Sequence, residues 1–267
     1  MDSADAVIWT PTPSDRDRAL AYGDGLFETL RLQPSGAPLW RFHRARLLAG
    51  AQRLGLPLMA QRLDQALEQA LARCDRPAVL KLILSAGEGG RGYARPASLQ
   101  PQLWARLHPL QPPAVALREQ GVKLGLCSLQ LARQPALAGL KHLNRLEQVL
   151  ARAEVSAAGW DEGVLCDSAG WVVECSAMNL FVRHGEQWWT PSLDQAGVAG
   201  VARSWLLEQL GEVAQDPRDL SVFATADEVL VCNSVAGIMP VRTLAGWSWP
   251  VGTTTRALQS ELEQLFQ

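Results

Sequence analysis

Between residues 163 and 190 four runs of β-forming residues follow one another too closely for any connection but a tight turn. Gly163–Cys166, Trp171–Cys175, Asn179–Val182 and Gln187–Thr190 are separated by only three or four residues. A parallel crossover needs roughly a dozen residues or more, so this stretch reads as an antiparallel meander and not as part of a doubly wound parallel sheet.

The first half of the chain is built differently. A strand is expected at Leu26–Leu32, after the turn Gly23-Asp24-Gly25. His43–Leu54 reads as a helix, because Leu47, Leu48, Ala51 and Leu54 recur on one face, and Gly55 and Pro57 end it. A second helix follows at Leu63–Ala72. The strand Val79–Ser85 then closes on the glycine-rich loop Gly87–Gly92, which is not a nucleotide-phosphate loop because no Gly-Lys-Ser/Thr follows it. His108–Ala116 carries three prolines and breaks both periodicities, which sets domains at 1–107 and 117–267 with a linker at 108–116. Beyond it come a strand at Val122–Ser128, a lysine-bearing segment, a helix at Asn144–Ala158 and the four close strands. A helix at Val201–Leu210, a strand at Glu228–Cys232 and a helix at Thr254–Phe266 complete the chain. The fold class is α+β (α/β), with a smaller N-terminal α/β domain and a larger C-terminal domain holding an antiparallel-rich sheet or barrel.

Composition excludes several function classes. Hydrophobic residues make up 48% and charged residues 19%, enough apolar material for a substantial core. A net charge of −2 argues against nucleic acid or a polybasic membrane surface as partner. No apolar run is long enough to span a bilayer, and MDSADAVIWT lacks the pattern of a secretory signal, so a cytoplasmic protein is expected. Five cysteines without CxxC spacing and four scattered histidines point to free thiols and no metal. The ten tryptophans are most economically core and interface fillers.

Chemistry concentrates in two segments. Gly139-Leu140-Lys141-His142-Leu143-Asn144-Arg145 opens a helix-like stretch with one of only three lysines in the chain, and Trp171-Val172-Val173-Glu174-Cys175 sets a glutamate in an apolar strand. Either residue alone reads as an exposed charge. Together they are what a pyridoxal phosphate enzyme needs: an amine to form a Schiff base, and a carboxylate to keep the pyridine nitrogen protonated. The glycines of Gly197-Val198-Ala199-Gly200 lead straight into a helix, so the backbone N–H groups of Val201 and Ala202 are suited to an anion.

These segments, with AYGDGLFETLR, HRARLLAGAQRLGLP, SAGEGGRGY and ADEVLVCNSVAGIMPV, resemble the fold-type IV pyridoxal-phosphate family in their order along the chain. The resemblance implies a homodimeric two-domain enzyme with pyridoxal 5'-phosphate as cofactor. It implies Lys141 as the Schiff-base lysine, Glu174 facing the pyridine nitrogen, and Arg46 of the H-x-x-R-L pattern as a phosphate clamp. Val201, Ala202 and Ser234 complete the expected phosphate set. By itself Arg46 reads as a solvated helix arginine, and Ser234 equally as a turn serine.

Within the family the likeness is greatest to the 4-amino-4-deoxychorismate lyases. Leu146 stands where branched-chain aminotransferases carry a tyrosine. Arg91-Gly92-Tyr93 departs from the Arg-x-His of D-amino acid aminotransferases, and Thr29 puts a hydroxyl where the branched-chain enzymes have glycine. The implied reaction is loss of pyruvate from 4-amino-4-deoxychorismate to leave 4-aminobenzoate, a folate precursor. Lys141 acts as base, Lys141 or Thr29 protonates the leaving group, and Arg91, Tyr93 and Arg145 are candidate partners of the two substrate carboxylates. The alternatives are a D- or branched-chain amino acid aminotransferase, and a non-catalytic protein that kept the fold.

Overall fold

The structure, a computed structural model, describes residues 7–9 and 11–267. Residues 1–6 and Thr10, on which most of the reading of MDSADAVIWT rests, lie outside the described residues. The chain forms two compact units. One holds the residues up to Gln111, together with Leu140–Asn144 and Phe266; the other holds Pro112–Gly139, Arg145–Leu265 and Gln267.

The first unit contains β1 (Val7–Ile8), α1 (Arg18–Tyr22), β2 (Gly25–Leu32), α2 (Trp40–Arg53), α3 (Ala60–Leu71), β3 (Ala78–Ser85) and β4 (Gln102–Pro109). Its sheet runs β1-β4-β3-β2, with β2, β3 and β4 antiparallel and β1 parallel to β4. Period-two alternation decides its faces. Leu26, Leu30 and Leu32 of β2 and Leu80, Leu82 and Leu84 of β3 are all buried on one face, and α2 and α3 supply Leu47, Ala51, Leu63, Ala66 and Ala70 to the same core. Phe27, Thr29, Val79, Lys81 and Ile83 occupy the other, half-buried face.

The free edge of β2 is taken by the lysine segment, and here the sequence reading needs correction. Lys141 does not open a helix. His142 forms an antiparallel bridge with Leu26, and the helix begins five residues after the lysine, at Leu146. Leu143 donates its N–H to the carbonyl of Gly25, and such backbone pairing satisfies an edge that would otherwise be open.

The second unit contains α4 (Val115–Gln120), β5 (Val122–Leu131), α5 (Leu146–Ala157), β6 (Glu162–Asp167), β7 (Val172–Cys175), β8 (Asn179–His184), β9 (Gln187–Trp189), α6 (Val201–Leu210), β10 (Val213–Ala214), β11 (Glu228–Asn233), β12 (Gly237–Leu244), β13 (Trp247–Ser248) and α7 (Thr253–Gln264). The expected meander is not what forms. The hydrogen-bonded order is β10-β9-β8-β11-β12-β5-β6-β7, so the hairpins β6–β7 and β8–β9 lie towards opposite ends of one mixed sheet. Strands β7 and β8 are five neighbours apart along it, about 24 Å if the sheet were flat. Yet only Ser176, Ala177 and Met178 join them, and the four peptide steps from Cys175 to Asn179 reach at most about 14 Å. The sheet must curl into a half-barrel, and Val164, Cys175, Leu180, Val182, Trp189 and Val231 fill its inside. Among the described residues no helix is long and apolar enough to cross a membrane.

Gly25 decides whether the lysine segment can dock. A Cβ there would run into the Leu84 carbonyl and stand 2.8 Å from Leu143 Cδ1. Gly25→Ala is expected to lower stability by about 1–3 kcal/mol, the usual cost of overpacking, as measured by denaturant unfolding. A wild-type midpoint would show that this edge is loosely packed.

Candidate active site

In the first unit Lys141 is held by its backbone, and its carbonyl accepts the Phe27 N–H at 2.9 Å. Its Nζ lies 4.4 Å from the centroid of the Phe27 ring, which sits on the half-buried face of β2. Thr29 shares that face, two residues along. The lysine amine and the threonine hydroxyl, singled out separately in the sequence, thus belong to one surface.

Directly behind that surface is a buried charge cluster. Glu28 points into the leucine phase of β2 and is 1% exposed. Arg46, on α2, forks onto it, with Nε 2.7 Å from Oε1 and Nη2 2.5 Å from Oε2. His43, one turn earlier on α2, places Nδ1 2.6 Å from Oε2. Burial alone would raise the Glu28 pKa, but the charges of Arg46 and His43 and their hydrogen bonds override it and hold it at about 2. Burial lowers the His43 pKa, against the pull of Glu28. At neutral pH His43 is therefore uncharged and donates from Nδ1, since an ionised carboxylate can only accept. The structure places Arg46, the expected phosphate clamp, in this cluster, with part of its fork committed to Glu28.

In the second unit the expected carboxylate is Glu174 of β7, 4% exposed. Its Oε2 accepts the Val198 N–H at 2.8 Å, and its Oε1 accepts from Gln148 Nε2 of α5 at 3.4 Å. The loop carrying Val198 lies flat against it for steric reasons. Gly197 has φ +82°, and a Cβ there would stand 2.7 Å from Val173 Cγ1 and 3.3 Å from Glu174 Oε2. A Cβ on Gly200 would run into Asn179 Oδ1, while Asn179 Nδ2 donates to the Val198 carbonyl at 2.9 Å. Gly139 joins the same loop, donating to Gly197 and accepting from Ala199.

This loop delivers α6 with Gly200 as N-cap and no side chain capping its first turn. Val201 and Ala202 are nonetheless 2% and 0% exposed. An uncapped helix start among buried residues is a ready anion site, since backbone donors and the helix dipole both favour negative charge. Ser234 lies in the turn after β11, where Asn233 Oδ1 accepts the N–H groups of Val235 and Ala236, and β11 packs against α6.

The remaining predicted residues fall elsewhere. Arg91 is exposed and Tyr93 is 87% exposed on the loop after β3, with the Tyr93 ring 5.4 Å from that of Tyr22. Arg18, buried and paired with Asp24 at 2.8 Å, pins the loop through the carbonyls of Gly89, Tyr93 and Ala94. Arg145 is half-buried at the N-cap of α5, in the second unit.

The family described as amino-transferase class IV matches residues 25–244, from the first residue of β2 to the last of β12. The chain belongs to the class IV aminotransferase family. The aminodeoxychorismate lyase of Vibrio harveyi is 36% identical, over 92% of this chain and 94% of its own. The crystal structure of 4-amino-4-deoxychorismate lyase from Pseudomonas aeruginosa is 46% identical, with a TM-score of 0.91 and 96% of each chain covered. The pyridoxal-phosphate-bound form of a hypothetical aminotransferase from Mycobacterium tuberculosis shares the fold, with a TM-score of 0.81 at 21% identity, over 96% of this chain and 94% of that one.

Glu28, Gln148 and Asn179 are members of these two clusters that the sequence reading did not single out. Glu28 had a visible signal: it is the one charged residue in the buried phase of Leu26, Leu30 and Leu32. Gln148 and Asn179 had none, because their partners lie 26 and 19 residues away in sequence.

The Glu28–His43–Arg46 cluster has a pH signature. A depressed carboxylate pKa gives stability present above its unfolded value of 4.5 and lost as pH falls towards about 2. His43 acts in the same direction: below 6.5 the unfolded chain binds a proton that the folded chain refuses, so stability falls with pH. In stability-against-pH curves, His43→Asn is expected to flatten the decline just below pH 6.5 and Glu28→Gln the decline below 4.5. Parallel curves for all three proteins would remove the cluster from acid sensitivity.

Proposed function

We propose that this chain is a 4-amino-4-deoxychorismate lyase that uses pyridoxal phosphate to form 4-aminobenzoate and pyruvate. The observation that carries the reading is a lysine amine and a threonine hydroxyl on one half-buried strand face, in a chain whose relatives bear that name. The donor set also fits the cofactor. A buried, uncapped helix start suits a phosphate ester, and a buried carboxylate suits a protonated pyridine nitrogen. When bound, the cofactor supplies an electron-withdrawing ring conjugated to the substrate amine.

Each residue then has a task. Glu174, oriented by Val198 and Gln148, keeps the ring nitrogen protonated. Val201 and Ala202 offer backbone N–H groups to the phosphate, with Ser234 and Arg46 as further donors. Lys141 would hold the cofactor, and its amine would take the proton from carbon 4 of the substrate ring. Thr29 or Lys141 returns a proton as the enolpyruvyl carbon–oxygen bond breaks, and aromatisation drives that cleavage. Positioning and electrostatics are what the protein adds.

We also infer a homodimer. Leu146, Val149 and Leu150 form an exposed apolar stripe along α5, at 76%, 59% and 59% exposure. One-turn spacing on one helix face is the pattern of a surface buried by association.

Two measurements test the reading. 4-Amino-4-deoxychorismate supplied without a keto acid is expected to give 4-aminobenzoate and pyruvate in equal amounts. Faster glutamate formation from D-alanine or branched-chain amino acids with 2-oxoglutarate, compared as kcat/KM, would favour an aminotransferase instead. Borohydride reduction of the holoenzyme followed by peptide mapping is expected to find the pyridoxyl group on Lys141. Label on Lys81 or Lys123 would overturn that assignment.

A further inference from the structure

We propose that Arg203 is the buried countercharge of the phosphate site at the start of α6, strengthening that site through its field without touching the phosphate. The role rests on the reading of this helix start as the seat of a phosphate-bearing cofactor. It adds a residue that the expected phosphate set does not contain.

Arg203 is 7% exposed, and its guanidinium has hydrogen-bond partners but no countercharge. Nε donates to Thr190 Oγ1 at 3.3 Å, and Nη2 donates to the Pro191 carbonyl at 3.0 Å and to Gln215 Oε1 at 2.8 Å. All three acceptors are neutral. Thr190 is itself fixed, since its hydroxyl donates to the Leu180 carbonyl at 2.8 Å. No carboxylate of the described residues forms an ion pair with Arg203, whereas Arg18 and Arg46 are paired with Asp24 and Glu28. Burial lowers the Arg203 pKa, yet a guanidinium keeps its charge in proteins. Buried charges are normally paired. A cradle of neutral oxygens that holds a cation in place and leaves it uncompensated suits an anion from outside the chain.

Its place in the helix points the same way. Arg203 is the third residue of α6, after Val201 and Ala202, with Gly200 as N-cap. A cation in the first turn opposes the helix dipole. Two costs thus fall on one position, a buried charge without a countercharge and a cation at the positive end of a helix. An anion on the first-turn N–H groups offsets both. Side chains of a helix tilt towards its N-terminus, so Arg203 leans to that end. An anion on the N–H groups of Val201 and Ala202 then lies on the order of 10 Å from the guanidinium. At that separation, with an effective dielectric constant of about 20, one pair of unit charges changes affinity about tenfold. A phosphate ester carries up to about two such charges at neutral pH.

Two variants of the full-length protein separate charge from packing. After removal of the cofactor, each is titrated with pyridoxal phosphate and with pyridoxal, which has the same ring and aldehyde but no phosphate. Kd for pyridoxal divided by Kd for pyridoxal phosphate isolates the phosphate contribution. In Arg203→Gln this ratio is expected to fall about tenfold or more, with little change in pyridoxal affinity. Gln215→Glu leaves the guanidinium in place and sets a carboxylate on it. There the ratio is expected to fall by a similar factor, while the urea unfolding midpoint stays no lower than that of the wild type. An arginine that only pins Thr190, Pro191 and Gln215 would behave otherwise. Arg203→Gln would then weaken both compounds by the same factor, and Gln215→Glu would leave the ratio at its wild-type value. Either result overturns the role of the charge, and if Arg203→Gln does not fold, Gln215→Glu decides by itself. Failure of the phosphate reading looks different: the wild-type protein would bind both compounds equally, or neither, and the role of Arg203 would fall with it.

Discussion

The pairing of residues 141–143 with the edge of β2 is the contact on which the rest of the candidate site depends. Two backbone hydrogen bonds, Phe27 to Lys141 and Leu143 to Gly25, hold in extended form a segment that sequence pattern alone assigns to a helix. Extended backbone sends alternate side chains to opposite sides, and the lysine comes to rest over Phe27. The same strand end has other duties. Asp24, just before it, anchors Arg18 and Arg95, and through Arg18 the glycine-rich loop. A small residue at position 25 is what lets Leu143 and the Leu84 carbonyl approach so closely.

Two buried carboxylates show how environment divides labour between residues of the same type. Glu28 is surrounded by a forked guanidinium and a neutral imidazole, and its charge is used up inside the protein. Glu174 accepts one backbone N–H and one side-chain amide, from Val198 and Gln148. Removing one member of the Glu28 cluster would leave a buried charge uncompensated, so these residues also set the acid tolerance of the first unit.

Much of the fold was legible because it is local. α6 was read with its observed bounds, and β2, β3, β11 and the four close strands were found to within one or two residues at each end. The elements that were missed depend on distant partners. β4 lies partly inside the proline-rich stretch read as a linker and ends at Pro109, and its pairing with β3 is what makes it a strand. β12 contains Pro240, which argues against a strand. The proline is tolerated because it pairs with Leu230 of β11, and the ladder to β5 begins one residue later, at Val241. The four close strands were read as neighbours because they are neighbours in the chain, whereas hydrophobic closure of the curled sheet separates the hairpins.

The sequence by itself determined which residue types were available and where most of the local elements would form. The lysine, the glutamate in an apolar strand, the glycines before α6 and the hydroxyl at Thr29 are all local chemistry, written in short windows. Tertiary structure alone decided their company: Arg46 on Glu28, Val198 and Gln148 on Glu174, Lys81 and Lys141 each near the Phe27 ring. The reason is physical. Propensity and periodicity act over a few residues, while register, burial and the pairing of buried charge are settled between segments that meet only when the chain closes on itself.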